Sequence, residues 1–164
     1  MGDSNSAEQE DKEEIRHISF NQTQELFTVA TERGFTAFKT EPIKPIFSSD
    51  LSGGVTISEL YYRTNFMALV GGDQNPKWPN NAVNIWDDEQ KKVVHNLPYQ
   101  SNVLAIRWRN DIMAVVLENR VYVYSFPSFD LIGTIDTVRN PNAICALNPG
   151  SGSSDEAVLA IPDD

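Results

Sequence analysis

The sequence has few of the residues that bind metals, form disulfides or attract polyanions. Its 164 residues include one cysteine, Cys145, and two histidines, and 13 Lys and Arg residues stand against 23 Asp and Glu residues. A lone cysteine excludes an internal disulfide framework and fits a reducing compartment. The formal net charge of −10 argues against nucleic-acid binding and against electrostatic adsorption to anionic lipid.

Motifs for catalysis, metal binding and membrane insertion are also missing. His17 and His95 have no cysteines or carboxylates near them at the spacing of zinc sites, so we expect no metal site. No nucleophile elbow or phosphate-binding glycine loop occurs, and we expect neither enzymatic activity nor a cofactor. The N-terminus lacks a signal peptide's apolar segment, and no apolar run reaches the ~18 residues that span a bilayer. These absences predict a cytoplasmic protein.

The N-terminus is predicted to be a disordered acidic tail over residues 1–14. Residues 3–14 contain six acidic residues, one lysine and no apolar residue larger than alanine. Such a segment cannot bury enough apolar surface to offset the entropy lost on ordering.

Beyond the tail, apolar residues alternate in short runs separated by Gly, Pro and Asn, which is typical of an all-β protein. Three of these runs have an aromatic residue in fourth place and a polar residue in fifth: "FTAFK" (35–39), "VNIWD" (83–87) and "VYVYS" (121–125). The runs that precede them also match one another: "LFTVA" (26–30), "FMALV" (66–70) and "IMAVV" (112–116). The chain therefore repeats a four-stranded unit.

Repeated four-stranded units with an aromatic and polar ending predict WD40-like β-propeller blades in residues 15–164. The predicted boundaries are blade one at 15–50, blade two at 55–98, blade three at 102–137 and the start of a fourth at 142–164. Because propellers have four to eight blades, three blades and a fragment do not close a ring. We expect either a truncated product of a longer gene or a partner that completes the ring.

Blade two carries an insertion within "GGDQNPKWPNNAVNIWDD" (71–88), between its second and third strands. Pro76 and Pro79 fix φ and reduce the entropy lost on ordering, and Trp78 offers a large contact surface. A stiffened loop with an aromatic residue suits protein recognition. The alternative is that Trp78 folds back onto its own blade, and the sequence leaves both possibilities open. We expect Trp86 to pack between blades.

Three segments resemble the PROPPIN family of autophagy propellers, which includes the WIPI proteins: "ALVGGDQNPKWPNNAVNIWDDEQKKVV", "AIRWRNDIMAVVLENRVYVYSF" and "RNPNAICALNP". The resemblance implies a seven-bladed fold of which this chain is the N-terminal half. It also implies a scaffold that binds phosphatidylinositol 3-phosphate and the 3,5-bisphosphate, and that recruits lipid-transfer machinery during autophagosome formation. Such proteins lie peripherally on preautophagosomal, endosomal or vacuolar membranes.

The family's lipid-binding signature, Phe/Leu-Arg-Arg-Gly, is absent from this chain. Arg33 and Gly34 follow Glu32 at a strand turn, so a plain turn is the better interpretation. The resemblance therefore implies no phosphoinositide-binding residue in this chain, and we expect no lipid binding by the chain alone.

In the PROPPIN family the blade-two loop binds the autophagy lipid-transfer partner. The family pattern is kept at Gly71, Gly72, Pro76, Trp78, Pro79, Asn81, Val83, Ile85, Trp86, Asp87 and Asp88. It is not kept at Asp73, Asn80 and Ala82, where Gly, Pro and Lys are common, and the missing lysine removes one positive charge. The resemblance implies a partner-binding site at Asn75, Pro76, Lys77, Trp78, Pro79, Asn80 and Asn81.

A second docking surface is implied in blade three, where "RWRND" (107–111) matches a basic cluster of the family. Arg107 and Arg109 are its basic residues, while Asn110 and Asp111 dilute the charge. The alternative is a solvated strand end with incidental arginines. For the whole chain, the alternatives to a PROPPIN scaffold are a splice or gene-model fragment and a generic WD-repeat interaction module without lipid binding.

Overall fold

The structure is a computed structural model that describes residues 13–72, 74–150 and 156–163. These residues form β-strands, turns and loops, and they include no helix that could cross a membrane. The predicted acidic tail lies outside the described residues up to residue 12, as do Asp73 and residues 151–155 and 164.

The strands form three antiparallel four-stranded sheets, each with its strands in sequence order, and one two-stranded sheet. The first sheet, blade one, contains β1 (Ile15–Phe20), β2 (Leu26–Thr31), β3 (Gly34–Thr40) and β4 (Ile43–Asp50). Blade two contains β5 (Val55–Leu60), β6 (Phe66–Gly71), β7 (Ala82–Asp87) and β8 (Lys92–Pro98). Blade three contains β9 (Ala105–Trp108), β10 (Ile112–Val116), β11 (Arg120–Ser125) and β12 (Leu131–Asp136). The two-stranded sheet pairs β13 (Ala146–Leu147) with β14 (Leu159–Ala160).

Neighbouring sheets pack face to face. Because side chains alternate along a strand, β6 contributes to the cores on both sides of blade two and β10 to those on both sides of blade three. Between blades one and two, Phe35 meets Trp86 edge-on, with ring centroids 6.3 Å apart. Trp86 is 6% exposed, so it packs between blades as the sequence predicts. A second core between blades two and three includes Ile85 and Met113. The smaller core between blade three and β13–β14 includes Cys145, which is buried.

The first strands of consecutive sheets are neighbours: β1 contacts β5, β5 contacts β9, and β9 contacts β13. The Ser19 hydroxyl on β1 donates to the Glu59 carboxylate on β5 at 2.6 Å, and the Thr28 hydroxyl on β2 donates to the Ser58 carbonyl on β5 at 2.9 Å. The strands β1, β5, β9 and β13 are called the inner strands below.

Candidate protein-docking site

The blade-two loop, residues 72–81, is attached at its first half to the linker between blades one and two. The Gly54 amide donates to the Asn75 carbonyl at 2.7 Å, and the Lys77 amide donates to the Gly54 carbonyl at 3.4 Å. Gly54 and Pro76 form a short parallel bridge. The loop thus adds a few residues of sheet-like pairing to the edge of the linker.

The second half of the loop is attached to the linker between blades two and three. The Asn80 carbonyl accepts from the Val103 amide at 2.9 Å, and the Asn81 carbonyl accepts from the Tyr99 amide at 2.8 Å. The Asn81 side chain also donates to the Tyr99 carbonyl at 2.9 Å. Because both halves are hydrogen-bonded to separate linkers, residues 74–81 of the loop have a defined conformation before any partner arrives.

Two glycines allow the loop to lie this close to the blade. A Cβ on Gly53 would lie 2.7 Å from the Lys77 amide nitrogen, and a Cβ on Gly71 would overlap the Trp78 carbonyl group. Real Cβ atoms do not approach backbone atoms so closely, and backbone atoms cannot rotate out of the way. The glycines on either side of the contact are therefore required by packing.

Trp78 packs on its own molecule. Its ring is partly buried against the core between blades one and two, with its centroid 6.4 Å from that of Trp86. Of the two possibilities that the sequence leaves open, the structure shows the second, in which Trp78 holds the loop against the blade.

The surface that the loop presents to solvent consists of smaller residues. Asn75, Pro76, Lys77, Pro79 and Asn80 are exposed, whereas Asn81 is half-buried and hydrogen-bonded.

Beside Lys77 lies a cavity of about 490 Å³ at the junction of blades one and two. Leu51 and Trp86 contribute its apolar lining, and Lys91 contributes a second ammonium group, which pairs with Asp88 at 2.7 Å. The exposed loop and this cavity together form the candidate docking site. Sequence reasoning missed the cavity because Leu51, in the linker, meets the loop only in the folded chain.

Arg109 is not on the surface. Its side chain is 1% exposed, and its Nε lies 2.5 Å from an Asp111 carboxylate oxygen. Its Nη1 donates to the Asn148 side-chain oxygen at 2.9 Å and to the Glu156 carbonyl at 3.3 Å. Arg109 therefore connects blade three to the segment around β13–β14.

Arg107 also makes contacts within the chain. Its Nε donates to the Cys145 carbonyl at 3.1 Å and its Nη1 to the Ile106 carbonyl at 2.9 Å. The structure places Arg107 among the inner strands and buries Arg109, so the two arginines do not form one exposed basic surface. Asn110 and Asp111 are exposed beside them.

The inner strands bring together a polar cluster that sequence reasoning missed, consisting of His17, Ser19, Glu59 and Arg107. Glu59 is buried, with the Ser19 hydroxyl at 2.6 Å and the His17 Nε2 at 3.8 Å from its carboxylate oxygens. His17 accepts a hydrogen bond from the Ser58 amide at 3.3 Å through Nδ1. The cluster borders a cavity of about 430 Å³. The sequence contains one sign of this cluster: Glu59 is an acidic residue within the strand "VTISEL" (55–60).

Burial raises the pKa of Glu59 to about 7, although the Ser19 hydrogen bond and the Arg107 charge both favour the ionised carboxylate. Burial also lowers the pKa of His17, and this effect exceeds that of the opposing hydrogen bond from Ser58. Glu59 therefore changes its protonation near neutral pH. The described residues contain no group of three or more His, Cys, Asp and Glu side chains that could hold a metal ion.

Comparison with solved structures shows which fold these blades belong to. Hsv2 of Kluyveromyces marxianus superimposes with a TM-score of 0.71 at 21% identity, over 82% of this chain and 42% of its own. Hsv2 of Kluyveromyces lactis with loop 6CD replaced by a Gly-Ser linker superimposes with a TM-score of 0.72 at 20% sequence identity. The match covers 85% of this chain and 44% of that one. A chain from the complex of KlAtg21 with the coiled coil of AgAtg16 superimposes with a TM-score of 0.69 at 18% sequence identity. The match covers 88% of this chain and 45% of that one.

The chain has the β-propeller fold of these proteins. This confirms the predicted fold class. Hsv2 and Atg21 are propellers of the PROPPIN family, which is the family that the sequence resembles. No family model matches the chain. The chain spans less than half the length of each of the three matched structures.

Proposed function

We propose that the chain belongs to a PROPPIN protein and acts, without catalysis, as a scaffold in autophagy. In this proposal the blade-two loop recruits the lipid-transfer machinery to membranes that contain phosphatidylinositol 3-phosphate. One observation carries it: the loop is hydrogen-bonded to two linkers and exposes Pro76, Lys77 and Pro79 beside a cavity of mixed polar and apolar lining. The complex of KlAtg21 with a coiled coil of AgAtg16 supports an autophagy protein as the class of partner.

A preformed loop favours docking because it loses little conformational entropy on binding. Trp78 contributes by fixing the loop from below, since its ring packs on the core near Trp86. The exposed residues would then make the direct contacts, with Lys77 supplying positive charge, while Leu51 and Trp86 are buried and reach the cavity only at its wall. Asp50 also borders the cavity, so a partner that brings one carboxylate to Lys77 and a small apolar group to the cavity fits this arrangement.

Membrane attachment in this proposal belongs to the complete family member. The chain lacks the Arg-Arg-Gly signature, so we expect the isolated chain not to float with liposomes that contain phosphatidylinositol 3-phosphate. The proposed location is the cytoplasm and, through the complete protein, the surface of preautophagosomal, endosomal or vacuolar membranes. Flotation of the isolated chain that depends on the 3-phosphate would contradict this assignment.

The test is co-purification of the autophagy lipid-transfer protein with the chain and with a Lys77→Glu/Pro79→Ala variant. Both positions are exposed, so the fold should remain intact and circular dichroism unchanged. We expect binding to be lost in this variant and kept in the control Lys44→Glu, which changes another exposed lysine, on β4. Binding that survives the loop substitutions, or that is absent from the parent chain, would favour a generic WD-repeat module or a fragment.

A further inference from the structure

The inner strands border a cavity of about 430 Å³ whose polar lining comes from three blades. His17 and Ser19 lie on β1, Glu59 on β5 and Arg107 on β9. In β-propellers the blades surround a central channel, and the cavity belongs to this channel. Its volume lies within the range of about 300–1,000 Å³ that is typical of small-ligand pockets. It shares no lining residue with the candidate docking site.

Arg107 supplies the positive charge of the cavity lining. Its Nε and Nη1 donate to the carbonyls of Cys145 and Ile106, which hold the guanidinium in place without neutralising it. No carboxylate of the described residues forms an ion pair with Arg107, and its Nη2 donates to none of their atoms. A guanidinium fixed in this way presents an N–H group and a full positive charge, which suit the oxygen atoms of an anion.

His17 supplies a second donor. Its Nδ1 accepts from the Ser58 amide at 3.3 Å, so the proton of the neutral ring is on Nε2. Burial lowers the pKa of His17, and the charge of Arg107 adds to this effect, so the ring is neutral at pH 7. Nε2 lies 3.8 Å from the Glu59 carboxylate, which is longer than a hydrogen bond. This N–H group can therefore donate to a ligand in the cavity.

Glu59 determines the net charge of the cluster. Its carboxylate accepts from the Ser19 hydroxyl at 2.6 Å, and burial raises its pKa to about 7. When Glu59 is protonated, the charge of Arg107 is uncompensated and the cluster carries one positive charge. When Glu59 is ionised, the two charges cancel. His17, Glu59 and Arg107 are the titratable or charged side chains among the described residues that line the cavity, so the protonated state of Glu59 is the one that attracts an anion.

We propose that this inner-strand cavity binds a small oxyanion, such as a sulfate, phosphate or carboxylate group. The Arg107 Nη2 and the His17 Nε2 donate to its oxygen atoms, and binding is coupled to protonation of Glu59. The net charge of −10 on the whole chain repels anions at long range. Saturable binding at this cavity is therefore distinct from nonspecific adsorption of anions to the surface.

An NMR titration of the 164-residue chain with sodium sulfate, and separately with sodium acetate, tests the proposal. Both anions keep their charge between pH 6 and pH 8, and sodium chloride holds the ionic strength constant. We expect saturable shifts of the backbone amides at residues 17–19, 58–59 and 106–108. The apparent Kd should be about tenfold weaker at pH 8 than at pH 6, because the protonated fraction of Glu59 falls from about 0.9 to about 0.1. A response to sulfate identifies a tetrahedral ligand group, and a response to acetate identifies a carboxylate.

Two variants separate the charge of the site from its pH dependence. Glu59→Gln carries a neutral side chain at every pH and should bind with the same affinity at pH 6 and pH 8. Arg107→Met should lose binding at both. The control is Arg63→Met, which changes a 69% exposed arginine outside the cavity and should bind as the parent chain does.

If circular dichroism shows that Arg107→Met is unfolded, the comparison of Glu59→Gln with the parent chain decides the test. Four results would overturn the proposal: shifts that do not saturate with either anion, equal affinity of the parent chain at the two pH values, pH-dependent binding by Glu59→Gln, and unchanged binding by a folded Arg107→Met.

Discussion

The ring of Trp78 lies over the blade that carries it, with its centroid 6.4 Å from that of Trp86 and the two planes inclined by 57°. Trp86 in turn meets Phe35 of blade one. Trp78 is thus the outermost of three aromatic rings in contact, followed by Trp86 and then by Phe35 in the core between the two blades. The loop presents its prolines, lysine and asparagines to solvent because its largest side chain is used to hold it in place.

Trp78→Ala should lower the free energy of unfolding by about 1–3 kcal/mol, because it removes a partly buried aromatic ring from the edge of a core. Urea unfolding followed by circular dichroism measures the change. Lys77→Ala, next to it and exposed, is the control and should alter stability by less than about 0.5 kcal/mol. Equal stability of Trp78→Ala and the parent chain would show that the ring does not contribute to the core.

Gly71→Ala should destabilise the chain by about 1–3 kcal/mol, since the added methyl group overlaps the Trp78 carbonyl and forces the loop away from the blade. Gly133→Ala is the matched control, because nothing lies within 4 Å of its Cβ position. Thermal unfolding of the two variants compares them directly. A Gly71→Ala variant as stable as Gly133→Ala would contradict the close contact of loop and blade.

Glu59 should make stability depend on pH. Its pKa is raised from 4.5 to about 7 in the folded chain, so its contribution is fully present below pH 4.5 and is lost as pH rises through 7. Glu59→Gln lacks this loss, and its stability relative to the parent chain should rise by up to about 3 kcal/mol between pH 4.5 and 8. Urea unfolding at a series of pH values gives this difference.

His17 acts in the opposite direction, because its lowered pKa costs stability as pH falls below 6.5. The comparison of Glu59→Gln with the parent chain largely cancels this effect, since both contain His17. A stability difference that does not change between pH 4.5 and 8 would show that Glu59 has the same pKa in the folded and the unfolded chain, and hence that burial does not raise it.

Arg109→Met should cost about 2–3 kcal/mol, because it removes charge-assisted hydrogen bonds that connect blade three to Asn148 and Glu156. Arg63→Met provides the control. Its guanidinium is 69% exposed and lies 3.6 Å from Glu25, and surface pairs of this kind contribute little. Urea unfolding of both variants distinguishes a buried connector from a surface charge, and similar small effects would contradict the burial of Arg109.

The sequence predicted the strands whose pattern recurs from one blade to the next. The strands of blade two follow from "FMALV" and "VNIWD", and the burial of Trp86 follows from its place in the repeat. Interactions between segments distant in sequence could not be predicted. Whether Trp78 faces solvent depends on the space that Gly71 leaves, and the burial of Arg109 depends on Asn148, 39 residues away.

The central claim, that the exposed part of the blade-two loop docks a protein, is tested most directly by hydrogen–deuterium exchange. The backbone amides of the chain would be compared with and without the autophagy lipid-transfer protein. We expect slower exchange at residues 74–80 and in the linker around Leu51, and no change in β4 at residues 43–47. Protection confined to other parts of the chain, with residues 74–80 unaffected in the complex, would contradict the account.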